Sequence, residues 1–138
     1  MRIRTARASD WDAIRELLRE LGYGFDASRA FAELLRDPAH VLLVAEEDGL
    51  VVGYANVNVR VQLHHERPVG TLDELCVAES ARSRGLGAAL VDAVVAEAAA
   101  RGAEAVEVAT NVRRERARRF YERCGFEATS WKLIRRLD

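Results

Sequence analysis

Apolar and polar positions alternate with two different periods along this chain, and the switch between them marks the elements. Ile3 to Ala6 reads as a short strand. Trp11, Ile14, Leu17, Leu18 and Leu21 then recur at helical spacing. Ser9 is the expected N-cap of that helix, with Asp12 three residues on, and Gly22 its stop. A second short helix is expected over Ser28–Arg36, with Phe31, Leu34 and Leu35 on one face, ending before Pro38. The period then falls to two. Val41–Glu46 and Leu50–Val61 predict two strands joined at Asp48-Gly49, a pair that tolerates the positive φ angles of a tight hairpin. Gly70–Val77 predicts another strand, Gly85–Arg101 a helix stopped at Gly102, and Ala105–Ala109 a short strand. Glu115–Arg123 predicts a last helix before Gly125, and Phe126–Leu137 the final strands. This order predicts an α/β domain built on a mixed sheet.

With 138 residues the chain fits one domain, taken as 1–138, with a sizeable core. Its 21 basic and 22 acidic side chains are well mixed, giving a net charge of −1. No global field therefore draws it to nucleic acid or anionic lipid. The arginines around the last helix (Arg113, Arg114, Arg116, Arg118, Arg119, Arg123) are interleaved with Glu115 and Glu122, which favours a solvated face over an RNA surface. No apolar run is long enough for a membrane span. Two cysteines, Cys76 and Cys124, do not make a disulfide framework, and a reducing cytoplasm is the expected compartment. Adjacent His64 and His65 have no convergent cysteine, so a solvated loop is expected there and no metal site.

Chemistry concentrates where a strand runs into a helix through Val77-Ala78-Glu79-Ser80-Ala81-Arg82-Ser83-Arg84-Gly85-Leu86-Gly87-Ala88. A helix start offers unpaired N–H groups and partial positive charge, and glycines let a pyrophosphate approach the backbone. Tight strand–helix packing is the competing use of such glycines. Neither a P-loop lysine nor the third glycine of a dinucleotide fingerprint is present. Just upstream, Asp73 and Glu74 interrupt an apolar strand, where unpartnered charge is costly. They invite a cationic ligand. Strict alternation would send them to opposite faces, so without a bulge only one can enter a cleft.

Arg82-x-x-Gly85-x-Gly87 resembles the Arg/Gln-x-x-Gly-x-Gly/Ala motif of the GNAT superfamily of N-acetyltransferases. Ala117 to Phe126, containing Phe120-Tyr121, resembles that family's second motif. The resemblance implies a mostly antiparallel central sheet flanked by helices and a site for acetyl-CoA. It places Leu75, Cys76 and Val77 against the pantetheine arm, with the N–H of Cys76 or Val77 facing the thioester carbonyl. Arg82, Ser83, Arg84, Gly85, Leu86, Gly87 and Ala88 are placed around the pyrophosphate, and Tyr121 beside the thioester sulfur. Leu72 to Val77 resembles the corresponding strand of diamine acetyltransferases, where an acidic pair holds and deprotonates an amine. Glu74 is the preferred base and Asp73 the second candidate. Seven residues before the tyrosine the family commonly has an asparagine; here Arg114 stands there, and Asn111 is the other candidate for pantetheine. The implied partners are acetyl-CoA and a small-molecule or peptide amine, in a form compatible with a homodimer, with Tyr23, between the first two helices, and with His64 and His65 as candidates to line the acceptor pocket. A catalytically silent acyl-CoA sensor is the competing reading; it would need neither Tyr121 nor the acidic pair.

Overall fold

The computed structural model describes residues 1–137. Five strands form one sheet in the order β1 (Arg2–Thr5), β2 (His40–Glu47), β3 (Leu50–Arg60), β4 (Val69–Val77) and β5 (Ala105–Val108). Neighbours are antiparallel except β4 and β5, which are parallel. The crossover between them is helix α3 (Leu86–Ala100), as a parallel pair requires. Helices α1 (Trp11–Glu20) and α2 (Ser28–Arg36) lie on one face of the sheet, and α3 and α4 (Glu115–Arg123) on the other.

Alternation along the strands builds a core on each face. Leu42 and Val44 of β2 pack with Ile14, Leu17 and Phe31 under α1 and α2. Their neighbours Val41, Leu43 and Ala45 pack with Leu90, Val91, Val94 and Ala98 of α3. A strand covered on both sides must be apolar throughout, which is why β2 reads as an unbroken run. The hairpin follows its sequence: Asp48 and Gly49 have φ of 51° and 79°.

Two expectations are corrected. Ser9 does not cap α1; it lies inside a 3-10 turn at Ala8–Asp10, and the Asp10 carboxylate accepts the Arg7 N–H at 2.8 Å. Asp10 stands at the N-cap of α1, but its side chain bonds elsewhere, also receiving two hydrogen bonds from Arg4, at 2.9 and 2.8 Å. The second correction is that residues 127–137 form no strand, although their pattern suits one. A strand exists only when another edge completes its hydrogen bonds, and among the described residues none does so for this segment.

Candidate active site

Strands β4 and β5 part company halfway along β4. Their pairing runs from Val69↔Ala105 to Leu72↔Val108 and stops, while β4 continues to Val77. A wedge opens there. On its other side β4 stays paired to β3 up to Gly53↔Val77, and Ala78 N–H bonds to Val52 O at 2.8 Å. Backbone groups alternate in direction along a strand, so Leu75 and Val77 face the wedge and Cys76 faces β3. This corrects the expectation for Cys76, whose side chain is also buried, with its thiol 3.8 Å from the Leu17 carbonyl. Burial pushes that thiol up to about 11.

The bulge that the acidic pair needs is present. Asn56 pairs with Glu74 and the next β3 residue, Val57, with Leu72, so Asp73 is the extra residue in β4. It falls where β5 leaves. Both carboxyls are held above their ordinary range chiefly by desolvation. For Glu74 the like charge of Asp73 adds to this, while Tyr54 and His40 oppose it. For Asp73 the opposing charges are His40, Arg60 and Lys132.

Three residues that the sequence reading passed over complete this face. Asn56, only 2% exposed, sits opposite Glu74, and its Oδ1 lies 3.3 Å from His40 Nδ1. Tyr54 is buried beside Glu74; desolvation first, then the Glu74 charge, holds its phenol well above the ordinary value. The signal was present as Tyr54-x-Asn56-x-Asn58, polar positions on one face of an otherwise apolar strand. Their meaning depended on which strand lay alongside.

At the wedge mouth the segment between β4 and α3 is pinned three times. Glu79 N–H bonds to Glu20 at 2.9 Å, Arg82 Nε donates to Val77 O at 3.2 Å, and Arg84 pairs with Glu47 at 2.7 Å. Ser83 and Gly85 both take left-handed φ, 66° and 79°. Ala89 N–H makes the first helical bond, to Gly85 O at 3.1 Å, which leaves the N–H groups of Leu86, Gly87 and Ala88 without a helical partner. Leu86 offers only its backbone, because its side chain is in the core. Gly87 serves packing: a Cβ there would stand 3.2 Å from the Phe120 ring.

Tyr121 packs on the α3 side of the wedge, edge-on to Phe120 and Phe126 with ring centroids 5.2 and 5.7 Å away. Desolvation raises its phenol, with Arg114 opposing. Asn111 spends its side-chain oxygen on its own turn, accepting Arg113 N–H at 2.9 Å. Arg114 is therefore the residue whose charge reaches Tyr121.

Other candidates lie apart. His65 is 3.4 Å from Glu104, next to the start of β5, so His64 and His65 stand at the opposite end of the β4–β5 pair from the wedge. They do not line the acidic face. Tyr23 does approach it, since it adds to the perturbation of Tyr54. It also lines a recess of about 320 Å³ with Trp11, Arg15 and Phe25. Among the described residues no group of His, Cys, Asp and Glu could hold a metal ion. No helix there is long and apolar enough to cross a membrane.

The profile of the acetyltransferase (GNAT) family matches residues 11–126. The chain belongs to that family. Aminoalkylphosphonate N-acetyltransferase of Salmonella typhimurium is 32% identical over 139 aligned residues, covering 98% of this chain and 90% of the relative. A solved protein of Agrobacterium tumefaciens, assigned as an acetyltransferase, superposes with a TM-score of 0.91 at 25% identity, covering 99% and 100% of the two chains. Aminoglycoside N-acetyltransferase AAC(6')-Iy, solved with CoA, shares the fold with a TM-score of 0.85 at 23% identity, covering 99% of each chain. This GNAT protein is thus an acetyl-transferring enzyme of the α/β fold that its motifs predicted.

Proposed function

We propose that this GNAT enzyme acetylates a primary amine by direct attack on acetyl-CoA bound in the β4–β5 wedge. The observation that carries the reading is a coincidence of position. The bulge presenting Asp73 and Glu74 falls where β5 diverges and the backbone of Leu75 and the N–H of Val77 become free to pair with an extended ligand. The unpaired N–H groups at the start of α3 and the side chain of Arg82 suit a pyrophosphate at the mouth of the same wedge.

An ammonium group cannot attack a thioester, so the reaction begins with a proton transfer. Asp73 holds the cation and Glu74 takes its proton, directly or through water. A carboxyl raised by desolvation is a stronger base than an ordinary one, and therefore better matched to this step. The amine nitrogen then bonds to the thioester carbon, and the Val77 N–H steadies the oxyanion. As the tetrahedral species collapses, the nitrogen releases its second proton to water, the C–S bond breaks and Tyr121 gives its proton to the departing sulfur. The products are an amide and free CoA, with the Tyr121 phenolate reprotonated from solvent. Asn56, His40 and Tyr54 position Glu74 from the neighbouring strands.

The Salmonella relative acts, by its name, on aminoalkylphosphonates, which join a primary amine to an anion. Small aminoalkyl acids therefore belong in the acceptor panel beside polyamines and amino-terminal peptides. Following release of CoA thiol across such a panel tests the proposal. Saturable acetylation of at least one amine, lost in Glu74→Gln near neutral pH, is expected. CoA binding without turnover of any acceptor class would leave only an acyl-CoA sensor.

A further inference from the structure

Lys132 stands apart from every other basic side chain of the molecule. Of the 21 lysines and arginines 20 are arginine, and Lys132 is the only lysine. A guanidinium stays protonated and does not attack a thioester. The side chain of Lys132 and the amino terminus at Met1 are therefore the only primary amines that the chain itself offers to an acetyl donor.

The fold brings one of these two amines to the wedge. Phe126 is anchored, its N–H bonded to Tyr121 O at 3.0 Å and its ring against that of Tyr121, so the segment that follows sets out from the general acid. From Glu127 to Leu137 it is exposed and outside any helix or strand. Lys132 lies six residues beyond Phe126, a reach of at most about 20 Å in extended form. Across the wedge, Asp73 and Glu74 are exposed on the β4 bulge. The ammonium of Lys132 is felt there: with His40 and Arg60 it is one of three cations that offset the desolvation of the Asp73 carboxyl. His40 and Arg60 belong to β2 and β3, and neither is a primary amine. Met1 is remote from this cluster, since it precedes β1, three strands from β4 in the sheet order. A tether this short holds a reactant at millimolar effective concentration, which a free amine reaches only when it is abundant.

We propose that Lys132 is an acceptor within its own chain, acetylated on Nζ in the β4–β5 wedge; this rests on the acetyl-transfer reading of Asp73, Glu74 and Tyr121. Asp73 holds the ammonium and Glu74 takes one proton from it. Nζ then bonds to the thioester carbon of acetyl-CoA. On collapse the nitrogen releases its second proton to water, the C–S bond breaks, and the sulfur takes the proton of Tyr121. The products are an acetylated Lys132 and free CoA. Residue 132 is left without charge, so the modified protein has lost one of the three cations that face Asp73.

Incubating the full chain with acetyl-CoA and no added amine, followed by intact mass and peptide mapping, tests this. One acetyl group is expected, on Lys132, with the Met1 amine free. An α-amino group has a pKa of about 7.7–8.0 against about 10.4 for lysine, so uncatalysed acetylation near neutral pH prefers Met1, and the opposite order reads the site. Glu74→Gln should slow the modification by about 10²-fold or more near neutral pH. Diluting the protein at saturating acetyl-CoA should leave the rate per molecule unchanged, as a reaction inside one chain requires. Acetyl already on Lys132 after purification counts as the expected product when Glu74→Gln from the same cells lacks it. A rate that falls on dilution, or acetylation of Lys132 as fast in Glu74→Gln as in wild type, overturns the proposal. Protein that acetylates an added amine and leaves Lys132 free overturns it while the acetyl-transfer reading stands; protein that acetylates neither overturns both.

Discussion

Among single residues the sharpest test falls on Glu74. Its carboxyl is raised above the ordinary glutamate range, chiefly by desolvation and then by the Asp73 charge. A base must be ionised to act, so kcat/KM should climb with pH through an apparent pKa above that range. Glu74→Gln should lower kcat/KM by about 10²- to 10⁴-fold near neutral pH and recover at high pH, where free amine is already present. Steady-state pH profiles of the two proteins decide it; identical profiles would make Glu74 a bystander. His40 acts on both carboxyls and meets Asn56, so His40→Gln should displace the pH profile with little change in amine KM. On the other side of the wedge, Tyr121→Phe should cost about 10²-fold in kcat, the scale of one general acid, with acetyl-CoA affinity nearly unchanged. A single-turnover measurement separates that loss from slow product release.

At the scale of elements, the turn from β4 into α3 is the part whose role can be read apart from its packing. Gly87→Glu is a poor probe, because the new side chain would press on Phe120 and move α4 whatever the ligand. Ser83 is cleaner: it is exposed, already left-handed, and beside the unpaired N–H groups. Ser83→Glu should weaken CoA binding by about tenfold or more in calorimetry, since a carboxylate there opposes a pyrophosphate. Unchanged affinity with an unchanged melting temperature would move the phosphate site elsewhere. The β4 bulge is the second informative element. It interrupts the alternation that would set two adjacent acids on opposite faces, and His40 acts on both of them.

For the molecule as a whole, one ionic cluster ties the start of the chain to the sheet. Arg4 bonds to Asp10 at 2.8 Å and to Glu46 at 2.7 Å, with Arg4 and Asp10 both largely buried. Hydrogen bonding from Arg4 is the main cause that holds the Asp10 carboxyl below its ordinary value. A depressed carboxyl contributes stability that is present above its unfolded pKa and is lost as pH falls through its folded one. Urea midpoints should therefore drop on acidification below about pH 4, where ordinary aspartates begin to protonate. Arg4→Met should destabilise by about 3 kcal/mol at neutral pH, because it strands buried Asp10 and half-buried Glu46, and should flatten that acid dependence. A midpoint within error of wild type would show that the cluster is solvated. Much of this molecule follows from local pattern. Helical spacing over Trp11–Leu21, the unbroken apolar run of β2, alternation in β3, and the positive-φ pair Asp48-Gly49 each specify an element through contacts a few residues apart. The Arg82–Gly87 and Tyr121 motifs pointed to the family for the same reason, since a strand–turn–helix is a local object. The tertiary structure alone decided which groups meet. That Cys76 faces β3 while Val77 faces the wedge depends on strand pairing, and that His40 acts on both Asp73 and Glu74 follows from a bulge against Asn56. The company of Tyr54, Asn56 and His40 comes from three strands brought side by side. The C-terminal segment shows the division most plainly: its alternation is that of a strand, yet β structure is completed by a neighbour's hydrogen bonds, and among the described residues none pairs with it.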